Sequence, residues 1–183
     1  MKSVFSFRMK KILPILLVTL LIFNAASCEK DDICVDGDTP LLVIGFFDID
    51  NPDEHKNVPS IRIKSIDNDQ VLTDLEAFRF TDRSSSPDSL LVPLQISTDI
   101  TQFEFITDSA DDADTGEETG NIDTLTINYS TRETFISRAC GFVANYDDLG
   151  VTLTTDASNW IQDITIVQQT VENSNNIHVK ILY

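Results

Sequence analysis

The stretch Leu41-Leu-Val-Ile-Gly-Phe-Phe47 holds six large apolar residues around one glycine. A strand with one wet face alternates polar and apolar residues, whereas a near-continuous run suits a central strand covered on both faces. Taken as a strand, this segment sets the reading of everything downstream. Apolar runs rich in Val, Ile, Phe and Thr recur with turn residues between them, and no stretch sustains a helical period.

Ile61-Arg-Ile-Lys-Ser-Ile66, Ala77-Phe-Arg-Phe80 and Phe103-Glu-Phe105 alternate in part, and each is read as strand. Leu90-Leu-Val-Pro-Leu-Gln-Ile96 carries Pro93, which cannot donate to a ladder and points to a sheet edge or a bulge. Alternation puts Leu125, Ile127 and Tyr129 on one face. Phe135 to Tyr146, a turn at Asp147-Asp-Leu-Gly150 and a strand Val151-Thr-Leu-Thr154 predict one hairpin. Ile161 to Val171, a turn at Glu172-Asn-Ser-Asn-Asn176 and Ile177 to Tyr183 predict another. Eight to ten short antiparallel strands make an all-β domain over residues 40–183. A β-sandwich, immunoglobulin-like or related, leads, and a small β-barrel is the alternative.

Upstream of that domain the chain changes character. Residues 1–27 contain Lys2, Arg8, Lys10 and Lys11 and no acid, followed by the apolar run Ile12 to Phe23 and the small residues Ala25-Ala26-Ser27. Basic start, apolar run and small-residue exit describe a secretory signal peptide. Twelve apolar residues rise about 18 Å as a helix, short of the roughly 30 Å hydrocarbon core that a membrane anchor must span.

Ala25-Ala26-Ser27-Cys28 resembles a bacterial lipobox, with Ala rather than Leu at the third place before the cysteine. The resemblance implies cleavage before Cys28 and a diacylglycerol thioether on it. One acyl chain holds weakly and two or three hold firmly. The alternative is ordinary cleavage and a secreted protein with a free Cys28. Lys30-Asp31-Asp32 resembles the signal after the lipidated cysteine in surface-exported lipoproteins of Bacteroidota. It implies outer-membrane attachment with the domain outside the cell, and the periplasmic face is the alternative. Residues 28–39 then form an acidic tether. Cys28-x5-Cys34, Thr39-Pro40-Leu-Leu-Val-Ile, Leu91-Val-Pro-Leu94 and Cys140-Gly141-Phe142 together resemble a family of uncharacterised Bacteroidota lipoproteins, over most of residues 28–183. That resemblance implies a domain of unknown function and supplies no activity.

With Cys28 acylated, Cys34 and Cys140 remain as an even pair. Export places them where disulfides form, and closing a loop of about 100 residues constrains the unfolded chain by roughly 4–5 kcal/mol. Phe135-Ile-Ser-Arg-Ala-Cys-Gly-Phe-Val143 is apolar enough to be read as buried, so the bond would pin the start of the domain to its later core. Two free thiols are the alternative. The sequence carries 13 Lys and Arg against 30 Asp and Glu, a net charge of −17. Loss of the four basic residues in 1–27 leaves 9 against 30, or −21. Such a surface repels phosphate backbones and argues against nucleic acid. It also keeps the domain soluble beside a membrane.

Candidate chemistry is sparse. Asp48, Asp50 and Asp53, with Asn51 and Glu54, gather oxygens that could converge on calcium. They lack the glycine and the distant bidentate Glu of an EF-hand loop, and a solvated turn explains them as well. Asp112-Ala-Asp114-Thr-Gly116 begins like a calcium loop within the acid-rich 108–118 segment, which reads as mobile and solvated. His55 falls in a polar turn, and alternation sets His178 beside solvent-facing Lys180. Ser84-Ser-Ser86 has no nucleophile-elbow context. No acid–base or nucleophilic constellation emerges, so the sequence points away from an enzyme and toward a binding or interaction module. A glycan, a peptide or an envelope protein is the expected partner, besides membrane lipid at Cys28. A purely structural lipoprotein is the first rival, and a glycan- or peptide-processing hydrolase is the second. Most aromatics are assigned to the core, with Trp160 the one to locate first.

Overall fold

A computed structural model of the chain describes residues 38–183. Among the described residues eight strands and one short helix run in the order β1 (Leu42–Phe47), β2 (Arg62–Ser65), α1 (Leu75–Phe78), β3 (Ser89–Val92), β4 (Ile100–Thr107), β5 (Asn121–Ser137), β6 (Gly141–Leu153), β7 (Asp163–Ile166) and β8 (Val179–Leu182). They form two four-stranded sheets, ordered β3-β1-β8-β7 and β2-β4-β5-β6. The domain is a β-sandwich and does not close into a barrel.

The opening stretch behaves as its composition requires. All six residues of β1 are buried, and β1 lies between β3 and β8. Leu42, Ile44 and Phe46 point into a core shared with Ile63, Leu90, Val92, Phe103, Phe105, Leu125, Ile127, Tyr146, Val179 and Ile181, drawn from both sheets. On the other face Phe47 packs on His55, ring centroids 4.3 Å apart. Gly45 leaves room there: a Cβ would stand 2.8 Å from the Phe47 ring and 2.9 Å from Ile177 Cδ1.

Several expectations are corrected. The sheets are not wholly antiparallel, because β1 pairs with the C-terminal β8 in parallel. Ala77-Phe-Arg-Phe80 is not a strand. Asp74 caps a single helical turn by accepting from the Glu76 and Ala77 N–H groups, and Arg79 ends it in the left-handed region at φ 64°. A strong N-cap and one αL residue outweigh four residues of weak alternation. Pro93 lies just past β3, which is an edge strand.

The largest correction concerns the hairpin. Asp147-Asp-Leu-Gly150 is no turn. It lies inside β6, where the register shifts opposite Asn128 and Ser130 and Asp148 takes φ 56°. A bulge absorbs the turn-forming residues and the strand continues. The chain reverses instead at Arg138-Ala-Cys140, with Gly141 at φ 71° and Ser137 Oγ accepting from the Cys140 N–H at 3.0 Å. β5 and β6 are therefore 17 and 13 residues long. β4 pairs with β5 only as far as Asn128, so from Ser130 onward β6 is the only strand among the described residues beside β5. In this projecting arm Phe135, Ile136 and Phe142 are exposed while Val143 is buried, so only part of the run expected to be buried is covered.

Candidate interaction surfaces

Cys28, Lys30, Asp31, Asp32 and Cys34 lie outside the described residues, as does the signal segment. Cys140 sits half-buried in the β5–β6 turn. The structure does not bring the calcium candidates together. Asp48 accepts from the Asp50 N–H at 2.8 Å and pairs with Lys56 at 3.3 Å, while Asp53 faces Lys180 at 3.7 Å. Asp112 accepts from the Asp114 and Thr115 N–H groups at 2.9 and 2.8 Å. These local bonds lower the carboxyl pKa values of Asp48 and Asp112, with the backbone N–H donors as the largest cause. Among the described residues no group of three or more His, Cys, Asp or Glu converges as a metal site.

His55 stacks on Phe47 and is otherwise exposed to solvent. His178 is fully buried, against the solvent-facing reading, and its Nδ1 accepts from the Val43 N–H at 3.1 Å. It precedes β8, so strand alternation did not govern it. Burial depresses its pKa and keeps it neutral. Trp160 packs at the rim of the core, its Nε1–H donating to the Phe105 carbonyl at 3.1 Å and its ring 5.3 Å from that of Tyr183.

The acid-rich segment is solvated over residues 110–117 but tied to the fold by ion pairs. Arg62 forks onto Asp82 at 3.0 and 2.8 Å and reaches Glu118 at 3.2 Å. Arg83 holds Asp111 at both oxygens and also Ser109. Glu118 accepts from the Ala110 and Gly120 N–H groups at 3.0 Å each and from Ser109 Oγ at 2.8 Å. Burial opposes its ionisation, but these bonds and the Arg62 charge outweigh burial and leave its pKa below the ordinary value. Gly120 is required here, since a Cβ would meet Ile106 Cγ2 and the Thr107 carbonyl at 2.6 Å. Sequence reasoning saw acids without bases because both arginines lie well upstream in the chain. Asp123 was also missed. It is buried, accepts from Asn159 Nδ2 and the Ile161 N–H at 2.8 Å each, and thereby fastens the loop before β7. Burial raises its pKa. The alternation that turns Leu125, Ile127 and Tyr129 inward turns Asp123 inward too, and that signal could have found it.

Two surfaces stand out. A groove of about 410 Å³ opens near the ends of β2, β3 and β4, over Leu72, Phe78, Leu94 and Phe103. Its rim carries Asp67, Asn68, Gln70 and Gln95, with Ser65 and Thr101 buried beneath them. Gln95 Nε2 donates to Asp67, Asn68 Nδ2 donates to Gln70 at 3.3 Å, and Thr101 Oγ1 lies 2.6 Å from the Tyr129 hydroxyl. The second surface is the tip of the arm. Phe135 and Phe142 are direct cross-strand partners with centroids 5.3 Å apart in a T-shaped pair, and Ile136 and Arg138 are exposed beside them.

Among the described residues the fold is an all-β sandwich bearing a groove with an apolar floor and a polar rim. The chain belongs to a family of unknown function, DUF6452, whose model matches residues 60–183 and so begins just before β2. No curated protein and no solved structure matches it.

Proposed function

We propose that the chain is a lipid-anchored envelope protein, held to the outer membrane through Cys28, whose sandwich acts by binding. The observation that carries this reading is the junction of leader and domain. A basic, acid-free leader and Ala25-Ala26-Ser27-Cys28 stand only ten residues before Asp38. There the chain is already fastened to the fold: Thr39 Oγ1 accepts from the Ala144 N–H at 3.4 Å, and the Leu41 N–H donates to Ser174 Oγ at 2.8 Å. Lys30-Asp31-Asp32 supports display on the outer face. A bond between Cys34 and Cys140 belongs to the same proposal, for both would reach an oxidising compartment.

The groove gives the domain a place for a neutral polar ligand such as a glycan or an extended peptide. Its amides, on Asn68, Gln70 and Gln95, can exchange bonds with such a ligand over an apolar floor. Catalysis is disfavoured because neither histidine lines the groove and its rim pairs one carboxylate with an amide rather than with a second acid. Growth with an alkyne-tagged fatty acid tests the anchor. The wild type takes up label and sediments with membranes, and Cys28→Ala loses both. An unlabelled wild type, or a Cys28→Ala protein still acylated, overturns the reading. Protease shaving of intact cells reads the face in the same cultures, with cleavage expected for surface display and full protection opposing it.

A further inference from the structure

The exposed aromatic pair at the end of the β5–β6 arm is the feature that neither the core nor the groove uses. We propose that this tip seats in the headgroup region of the membrane that carries the anchor, so that the domain rests on the lipid surface through Phe135, Ile136 and Phe142. The inference rests on the lipid-anchor reading and adds an orientation to it.

Four observations point to a lipid surface as the occupant. First, the tip is apolar and unsupported, with Phe135 56%, Ile136 40% and Phe142 66% exposed at the end of a two-stranded projection. Exposed clusters of this kind mark contact sites, and aromatic rings favour the membrane–water interface. Second, charge is distributed to suit. No carboxylate lies between Glu133 and Asp147, and Arg138 is exposed at the turn. The 30 acids lie elsewhere in a chain that an anionic surface would otherwise repel. Arg132, also on the arm, is neutralised by Asp147 and Glu172 at 2.7 and 2.6 Å.

Third, the chain enters the fold beside this arm. Thr39 bonds to Ala144, two residues from Phe142 along β6. Fourth, the span back to the anchor is short. Cys28 precedes Thr39 by eleven residues, at most about 40 Å of extended chain. Under the proposed Cys34–Cys140 bond the six residues back to Cys28 reach about 20 Å from the tip. An acylated Cys28 therefore confines the tip within a few tens of ångströms of the bilayer, where even a weak contact is filled by high effective concentration.

The test uses the full chain in vesicles of phosphatidylethanolamine and phosphatidylglycerol with bromine on the acyl chains, which quenches nearby indoles. Phe142→Trp reports the tip. Ile122→Trp reports the far end of β5, thirteen residues and roughly 40 Å away, and the unmodified chain supplies the Trp160 background. With acylated protein the added emission at 142 is expected to fall at least twofold relative to unbrominated vesicles, and that at 122 to stay unchanged. Equal emission changes at the two positions, in protein that sediments with the vesicles, overturn the tip contact and leave the anchor standing. If mass analysis finds no acyl chain on the wild type, the anchor reading fails. Cys28→Ser protein at high lipid concentration then decides the tip on its own: quenching at 142 sustains it, and none removes it. A lipid-independent blue shift at 142 that grows with protein concentration would assign the tip to a second copy of the chain and overturn the proposal.

Discussion

β1 and the outer half of the β5–β6 arm carry similar sequences to opposite fates. Leu42–Phe47 and the segments around Phe135-Ile136 and Phe142-Val143 are runs of large apolar and aromatic residues, each read as buried, and of the second set Val143 is covered while its neighbours are not. In β1 every residue is buried, because β3 and β8 flank it, the β2-β4-β5-β6 sheet covers one face, and His55 and Ile177 pack near the other. In the arm Phe135, Ile136 and Phe142 are exposed, because β4 stops opposite Asn128 and the strands run on without it. Composition sets what a strand would gain by burial. The lengths of its neighbours decide whether it is buried.

The largest loss of stability is expected in β1. Phe46 is fully buried, with its ring 6.3 Å from Trp160. Phe46→Ala removes that ring from the middle of the core and is expected to cost about 3–5 kcal/mol, the usual range for such truncations. Urea unfolding of the mature domain measures it. A loss under about 1 kcal/mol would mean that the strand is not the centre of the sandwich.

Asp123 sharpens the comparison, because it lies in the inner half of β5, where the strand is covered. Asp123→Ala leaves the buried Ile161 N–H without its acceptor and is expected to cost about 2–3 kcal/mol, the scale for lost hydrogen bonds to charged groups. The pH dependence has a definite sign. Burial raises the folded-state pKa of Asp123 above 3.8, so the folded chain holds that proton more tightly than the unfolded chain does. Its contribution to stability is therefore greatest below the ordinary value and declines as pH rises through the raised one. Against Asp123→Asn, which does not titrate, the wild type is expected to lose relative stability from about pH 4 upward. A relative gain over that window would show that the hydrogen bonds outweigh burial.

The same contrast explains what could be read in the sequence. β1, the edge position of Pro93, the inward row Leu125, Ile127 and Tyr129, and the last two strands all follow from local pattern. The parallel β1–β8 pairing does not, since 135 residues separate the partners Ile44 and Val179. Asp147-Asp-Leu-Gly150 misled because those residue types suit a bulge as well as a turn, and only the partner strand distinguishes the two. The Arg62–Asp82–Glu118 and Arg83–Asp111–Glu118 pairings escaped because they join segments 20 to 56 residues apart. The acids looked unpaired in a window that contained no base. His178 was misplaced because its position is set by the Val43 N–H on a neighbouring strand, not by alternation with Lys180.

The smallest effect on stability belongs at the tip, and its smallness is informative. Phe135→Ser with Phe142→Ser removes two exposed rings and one T-shaped pair. An aromatic pair contributes about 0.5–1.5 kcal/mol, and exposed positions usually shift stability by less than about 0.5 kcal/mol each. The soluble domain is therefore expected to lose no more than about 1 kcal/mol in urea unfolding, against about 3–5 kcal/mol for the single ring of Phe46. In acylated protein the same double change is expected to abolish the difference in quenching between the two ends of β5, read with the indole placed at Ile136. A stability loss equal to that of Phe46→Ala would mean that the rings pack against something within the chain, and the arm would then be a covered part of the fold like β1.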